Sequence, residues 1–177
     1  LIAIVVAFLL LNLPFVHKPG VKVSPIDTLF VAVSGISVTG LTPVSIIDTY
    51  SSFGQLIILI ILNIGGIGVM AIGTVLWVVL GKHIGMRERQ LIMLDNNKDT
   101  MSGTVKLIIE IVKTIMTIEI VGALLLAFYF YRDNPDLKNA LMQGLFVSIS
   151  ATTNGGLDIT GQSLVPYAKD YFVQTIV

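Results

Sequence analysis

The chain has 177 residues, 54% of them hydrophobic and 12% charged, a formal net charge of zero and no cysteine. An ordinary soluble domain carries about 25% charged residues, so this low charge, with a mean hydropathy of +0.89, is a membrane composition. The charge balance speaks against nucleic acid as a partner, and the missing cysteines exclude disulfides and thiolate metal sites.

Leu1–Val16 is apolar except for Asn12 and ends at Leu13-Pro14. Its sixteen residues fall short of the ~20 that span a bilayer, as for a helix whose start is missing. A cleaved signal peptide is the competing reading, but no A-x-A-like site follows. The last residues, YFVQTIV, open a new apolar run, so the sequence reads as a piece of a longer chain or its ordered part. After a polar connector, His17–Val23, the run Ser24-Pro25-Ile26-Asp27 reads as a helix start, with Ser24 as N-cap, Pro25 at the first helical position and Asp27 in the first turn. That helix is expected to reach about Ile36, covering roughly 18 Å at ~1.5 Å per residue, only part-way across a membrane. The SVTGL that follows continues a helix poorly.

Asp48–Ser52 is polar, and from Phe53 or Gly54 to Leu80 runs the longest apolar stretch, with Asn63 and Gly65-Gly66-x-Gly68 at its middle. Those glycines permit a kink or a close helix approach. They are not a dinucleotide fingerprint, which needs a preceding strand and spaced glycines. Gly81–Thr104 is a hydrophilic linker, and Val105–Tyr131 is the next expected span, carrying Glu110, Lys113 and Glu119. Asn134-Pro135-Asp136 repeats the N-cap, proline and acidic opening before a second half-helix to about Ser150. TTNGGLDIT and a polar stretch to Asp170 lead to an apolar helix at Tyr171.

FVAVSGISVTGL at Phe30–Leu41 and FVSISATTNGGL at Phe146–Leu157 align at an offset of 116, with five of twelve positions identical. Each copy follows a Pro-started half-helix and precedes a Phe-x-Gln, at Phe53 and Phe172, so the chain reads as an internal repeat. The middle loop holds Lys82, Arg87, Arg89, Lys98 and Lys106, against Lys18 and Lys22 in the first connector and Arg132, Lys138 and Lys169 in the second. Five against two and three places the linker in the cytoplasm and both half-helices outside, so the repeats run parallel. The expected fold is an all-α membrane protein of repeated transmembrane helix, re-entrant pore half-helix with filter loop, and transmembrane helix around a central pore. Its parts are 1–81, the linker 82–104, and 105–177, truncated at its last helix.

A half-helix that stops inside the hydrocarbon hands over to irregular backbone, tolerated only where protein buries it or water lines it. The helix C-terminus carries partial negative charge and carbonyls without helical partners. Both suit a cation, and backbone carbonyls of Ser37, Val38, Thr39 and Gly40 can replace part of its hydration shell. Gly40 supplies the backbone angles such an arrangement requires. No carboxylate lies within SVTGL, which fits K⁺ or Na⁺ better than Ca²⁺ or Mg²⁺. The bland alternative is a small-residue turn between packed helices, which the second copy makes less economical.

Ser34-x-x-Ser37-Val38-Thr39-Gly40-Leu41, then Phe53-Gly54-Gln55 and Ile64-Gly65-Gly66-Ile67-Gly68, resembles the first repeat of the Trk/Ktr/HKT superfamily of potassium transporters, nearest to bacterial KtrB-type membrane subunits. Ser150–Asp158 is similar to that family's second filter, usually written with Asn-Ala-Gly-Phe at its centre. Gly155 and Leu157 depart from that wording, while Gly156 keeps the key position. The resemblance implies four repeats around one pore, each giving one filter strand, here Ser37, Val38, Thr39 and Gly40, and Thr153, Asn154, Gly155 and Gly156. It implies K⁺ as the transported ion held by backbone carbonyls, no organic cofactor, no enzymatic activity and a place in the cell membrane. Glycine at position 40 goes with potassium preference and serine there, in some plant relatives, with sodium. The implied partners are the lipid bilayer, a second copy in a homodimer and a cytosolic nucleotide-binding ring. A sodium-selective transporter and a non-conducting membrane scaffold are the alternatives. An intramembrane enzyme is a distant third, because the spans hold no nucleophile–base set, paired acids or metal cluster.

Among the other polar residues, Glu119 is a functional candidate because intramembrane charge is costly, against a structural role between helices. Asn63 faces either a neighbouring helix or the vestibule. Glu110 and Lys113 read as an i, i+3 pair. Asp48, Asp158 and Asp170 are candidates for concentrating cations at the mouth. His17 and His83 lack metal-ligand spacing, and Lys82, Arg87 and Arg89 suit anionic lipid or the ring but need neither.

Overall fold

The computed structural model describes residues 1–68, 71–73, 104–133, 135–161 and 164–177. Their regular structure is helical, with no strand among the described residues. The helices are α1 (Ile2–Leu11), α2 (Pro25–Ser37), α3 (Ile46–Thr49), α4 (Ser52–Ile67), α5 (Thr104–Asp133), α6 (Leu137–Thr152) and α7 (Tyr171–Ile176), with 3₁₀ turns at Pro14–Val16 and Val165–Tyr167. Leu1–Gly66 with Ile118–Val177 form one compact unit, and Ile67–Thr117 a second. In the second unit Ala71 and Ile108 are buried together, with Ile67 and Val112 packed on them, and Glu110 and Lys113 form an exposed i, i+3 pair at 3.8 Å. Such a pair contributes about 0.2–0.5 kcal/mol.

The first half-helix starts as its sequence predicts. The Ser24 hydroxyl accepts from the Ile26 N–H at 3.3 Å, Pro25 opens the helix, and the end falls at Ser37. The second starts later than expected. Asp136 is the N-cap, its Oδ1 accepting from the Lys138 and Asn139 amides at 3.1 and 3.4 Å, while Asn134 lies outside the described residues. Pro135 therefore lies outside the helix, since a carboxylate two residues before the first free amides already satisfies them. The thirteen residues of α2 and sixteen of α6 cover about 20 and 24 Å at ~1.5 Å per residue, both short of the ~30 Å hydrocarbon core.

Val105–Arg132, within α5, is long and apolar enough to cross a membrane; Ile2–Leu11, Pro25–Ser37 and Ser52–Ile67 are shorter apolar helices. The unbroken span expected from Gly54 to Leu80 is interrupted, because α4 ends at Ile67 and Gly68 takes φ +96°. Only glycine enters that region freely, so the last glycine of the cluster is where the helix gives way. Residues 74–80 and the linker 82–103, with Lys82, His83, Arg87, Arg89 and Lys98, lie outside the described residues. Ile118, Ile120, Val121, Leu124, Leu125 and Phe128 of α5 are exposed, an apolar face suited to lipid.

Inside the first unit one apolar cluster joins both repeats: Leu11, Val31, Ile58 and Leu62 pack with Phe146, Ile149 and Leu157. α6 lies against α5 where Gly144 meets Ala123 and Ala127. A Cβ on Gly144 would stand 2.6 Å from the Ala127 nitrogen and 2.7 Å from the Ala123 oxygen, the small-residue contact that lets membrane helices approach.

A short helix the sequence did not announce, α3, returns the chain toward α1. The Lys18 N–H donates to Thr49 O and the Ser51 N–H to Val16 O, both at 2.9 Å, and the Ser51 hydroxyl donates to Phe15 O at 2.9 Å. Between them Tyr50 is wholly buried, its ring 5.3 Å from that of His17. Burial pushes the Tyr50 phenol up to about 12, so it stays neutral at physiological pH.

α7 is fastened to α5 by Asp170, which caps α7 through the Phe172 and Val173 amides and accepts from the Tyr129 hydroxyl. The Tyr129 hydrogen bond, with the cap amides, holds the Asp170 carboxyl below its ordinary value. A depressed folded-state value gives stability that is present above the unfolded value and is lost as pH falls through the folded one. In the full-length parent, Tyr129→Phe is expected to lower the melting temperature at neutral pH. The gap should close in acid below the aspartate range, and a gap independent of pH would contradict the assignment.

Candidate cation-coordinating site

Both half-helices end in the same backbone figure. Val38 (φ 54°) and Gly40 (φ 77°) are left-handed in the first copy, and Asn154 (φ 55°) and Gly156 (φ 62°) in the second. Each pair sits at the 116-residue offset that aligns the two copies. Thr39 and Gly155 between them are not left-handed. An extended strand points successive carbonyls to opposite sides, an alternation that left-handed residues interrupt.

The hydrogen bonds repeat as well. The Thr39 N–H donates to Ser34 O at 3.0 Å, and its counterpart Gly155 N–H to Ser150 O at 2.7 Å. The Ser37 hydroxyl donates to Val33 O at 2.7 Å, and the matching Thr153 hydroxyl to Ile149 O at 2.6 Å. These bonds add to main-chain ones, since Ser34 O also accepts from the Val38 N–H and Ile149 O from the Thr153 N–H, and they hold the chain at the point of exit. The copies also differ: the Ser37 and Thr39 hydroxyls share a hydrogen bond at 2.7 Å that Gly155 cannot make in the second. The Ser150 hydroxyl donates to Leu157 O at 2.9 Å, fastening the far side of its bend, whereas the buried hydroxyl of Ser34 makes no hydrogen bond. Val38 also carries strain: a β-branched residue in the left-handed region is an outlier, costing about 1–3 kcal/mol. Asn154, in the equivalent place, belongs to the few side chains that enter it readily.

The two bends touch. A Cβ on Gly40 would lie 2.8 Å from the Gly155 oxygen and 3.1 Å from the Gly156 Cα. Ser37, Thr39, Asn154 and Gly156 are exposed, and Thr153 and Gly155 are buried. The structure thus brings all eight predicted residues to one place, as two adjoining segments.

α4 carries both bends on two adjacent glycines. A Cβ on Gly65 would meet the Gly35 and Ile36 carbonyl oxygens, 2.6 Å from the latter, at the end of α2. On Gly66 it would meet the Thr153 side chain, 2.6 Å from its Cγ2. Leu62, one turn earlier, fills the space behind Gly155. The sequence marked this glycine cluster as a place of close approach but held no sign of what approaches.

Asp48, Asp158 and Asp170 each accept local hydrogen bonds. Asp48 accepts from the Ser45 hydroxyl at 2.6 Å, and Asp158 from the Thr160 and Gly161 amides at 2.8 and 2.9 Å. Asp170 is the α7 cap described above. Among the described residues no group of three or more His, Cys, Asp or Glu could hold a metal, so polar contact with an ion at the bends would come from backbone and hydroxyl oxygens.

An all-helical membrane protein built on a duplicated half-helix and left-handed bend is the class this fold defines. The chain belongs to the TrkH family of cation transport proteins, whose family model matches residues 4–177. It is similar to the Ktr system potassium uptake protein D of Bacillus subtilis (strain 168), with 49% identity over 175 residues, 99% of this chain and 39% of that protein. The Ktr system potassium uptake protein B of the same organism is 32% identical over 177 residues, covering 99% of this chain and 39% of the relative. The potassium/sodium uptake protein NtpJ of Enterococcus hirae is 32% identical over 168 residues, 95% and 37% of the two chains. The chain thus spans about two-fifths of the length of these relatives.

Gly66→Ala in the full-length parent should displace Thr153 and cost about 1–3 kcal/mol of stability. Gly73→Ala, where nothing lies within 4 Å, should be neutral or stabilising. Equal melting temperatures for the two variants would contradict the seating of the bend on α4.

Proposed function

We propose that this chain forms part of the pore of a potassium uptake protein, and that Ser37–Gly40 and Thr153–Gly156 are two of its filter strands. The observation that carries the reading is the paired left-handed pattern at Val38/Gly40 and Asn154/Gly156, with the two glycine bends in contact. Backbone carbonyls replace ion hydration, and the negative ends of α2 and α6 favour a cation beside them. The names of the Ktr relatives support K⁺ as the ion. Residues 1–81 and 105–177 are then the first repeat and most of the second, joined by a cytoplasmic linker at 82–104.

The exposed apolar face of α2 supports a ring that continues beyond these residues. Ile26, Leu29, Phe30 and Val33 are exposed, whereas Phe146, the counterpart of Phe30 in α6, is fully buried between the repeats. In the parent protein the α2 face packs against a further repeat, and two such subunits pair above a cytosolic nucleotide-binding ring. One relative's name, potassium/sodium uptake protein, favours a second reading in which the same strands pass Na⁺ as well.

Gly40→Ser tests the assignment. A side chain there must adopt a left-handed backbone and stand 2.8 Å from the Gly155 oxygen, so both bends shift. In a potassium-uptake-deficient strain expressing the full-length parent, the variant should move K⁺/Na⁺ preference toward Na⁺ by about tenfold, about 1.4 kcal/mol. An unchanged preference at equal membrane abundance would overturn the filter assignment.

A further inference from the structure

Glu119 is a carboxylate only 2% exposed within the apolar helix α5, and no Lys, Arg or His pairs with it among the described residues. Its partner is Asn63 of α4: with the amide oriented as the hydrogen bonding requires, Nδ2 donates to Oε1 at 3.1 Å and Oε2 at 3.2 Å. The main chain of Glu119 is engaged too. Its carbonyl accepts from the Ser148 hydroxyl of α6 at 2.8 Å. A Cβ on Gly122, one turn further along α5, would stand 2.6 Å from that hydroxyl oxygen; only glycine leaves Ser148 room to reach.

These contacts close a triangle. Asn63–Glu119 ties α4 to α5, Ser148–Glu119 ties α5 to α6, and Gly66–Thr153 brings α6 back to α4 at the bend itself. Asn63 and Gly66 are three residues apart, and so are Glu119 and Gly122, so α4 and α5 each contribute within a single turn. A buried polar pair gains its energy in a narrow range of geometry, because a misplaced group is left unsatisfied in a medium without water. Two apolar residues would pack in several arrangements at similar cost.

We infer that Glu119 is a positioning residue for the second strand of the proposed filter: with Asn63 and Ser148 it fixes where Thr153–Gly156 sits relative to Gly40. This rests on the filter reading above. Its role is carried through α4 and α6, and the carboxylate does not touch the ion.

The test uses the full-length parent in potassium-uptake-deficient cells, with uptake normalised to the protein present in the membrane. Glu119→Leu should shift K⁺/Na⁺ preference toward Na⁺ by about tenfold, within the range of coupling lost from one buried network. Glu119→Gln keeps an oxygen to accept from Asn63 and should restore the preference. Asn63→Leu should match Glu119→Leu, and the double variant should be no worse than either. If Glu119→Leu fails to reach the membrane, Asn63→Ala and Ser148→Ala, each opening one side of the triangle, must show the shift instead. Unchanged preference in the variants that reach the membrane, or Gln performing as poorly as Leu, overturns the inference. If Gly40→Ser shifts preference while these do not, only the positioning role falls; if Gly40→Ser is also silent, the filter reading falls.

Discussion

Gly40 and Gly156 approach so closely that a Cβ on the first would press on the Gly155 oxygen and the Gly156 Cα, and the arrangement around them follows from that contact. Two irregular segments can meet backbone to backbone inside an apolar protein only where side chains are absent and their polar groups are held. The first condition selects glycine at both bends. The second is met by the last turns of α2 and α6, whose terminal carbonyls accept from the chain as it departs.

Holding the bends in place falls to α4. It runs between the two half-helix ends with Gly65 against one and Gly66 against the other, so a single helix sets the spacing of both. Its own position is set from two directions. At its start Ser51 and Gly54 lock against Val16, and in mid-course Asn63 reaches Glu119. Val38 bears backbone strain of about 1–3 kcal/mol inside this frame, in which Val31 and Ala32 of the same half-helix are buried. The duplicated figure is therefore asymmetric in support: the first bend has the Ser37–Thr39 hydroxyl pair, whereas the second has the Ser150–Leu157 bond and the three-helix polar triangle.

Much of this was legible in the sequence because the signals were local. Ser24-Pro25-x-Asp27 marks a helix start whatever lies around it, and the 116-residue repeat carried the first bend's description over to the second. The places where local reading missed are those decided by distant partners. Asp136 caps the second half-helix through its reach to two amides. α3 forms because Ser45 caps it and because Lys18 pairs with Thr49, and Val16 with Ser51, across more than thirty residues. Asn63 and Glu119 each stood out as polar residues in apolar runs, yet their spacing of fifty-six residues has no periodic meaning.

The central claim is that one ion path runs along the touching bends, and the direct measurement is anomalous scattering from Rb⁺ or Tl⁺ in crystals of the full-length parent. The account predicts a peak within coordination distance of carbonyl oxygens from both Ser37–Gly40 and Thr153–Gly156. Bends packed against lipid with the peak elsewhere, or with no peak at saturating ion, would contradict it.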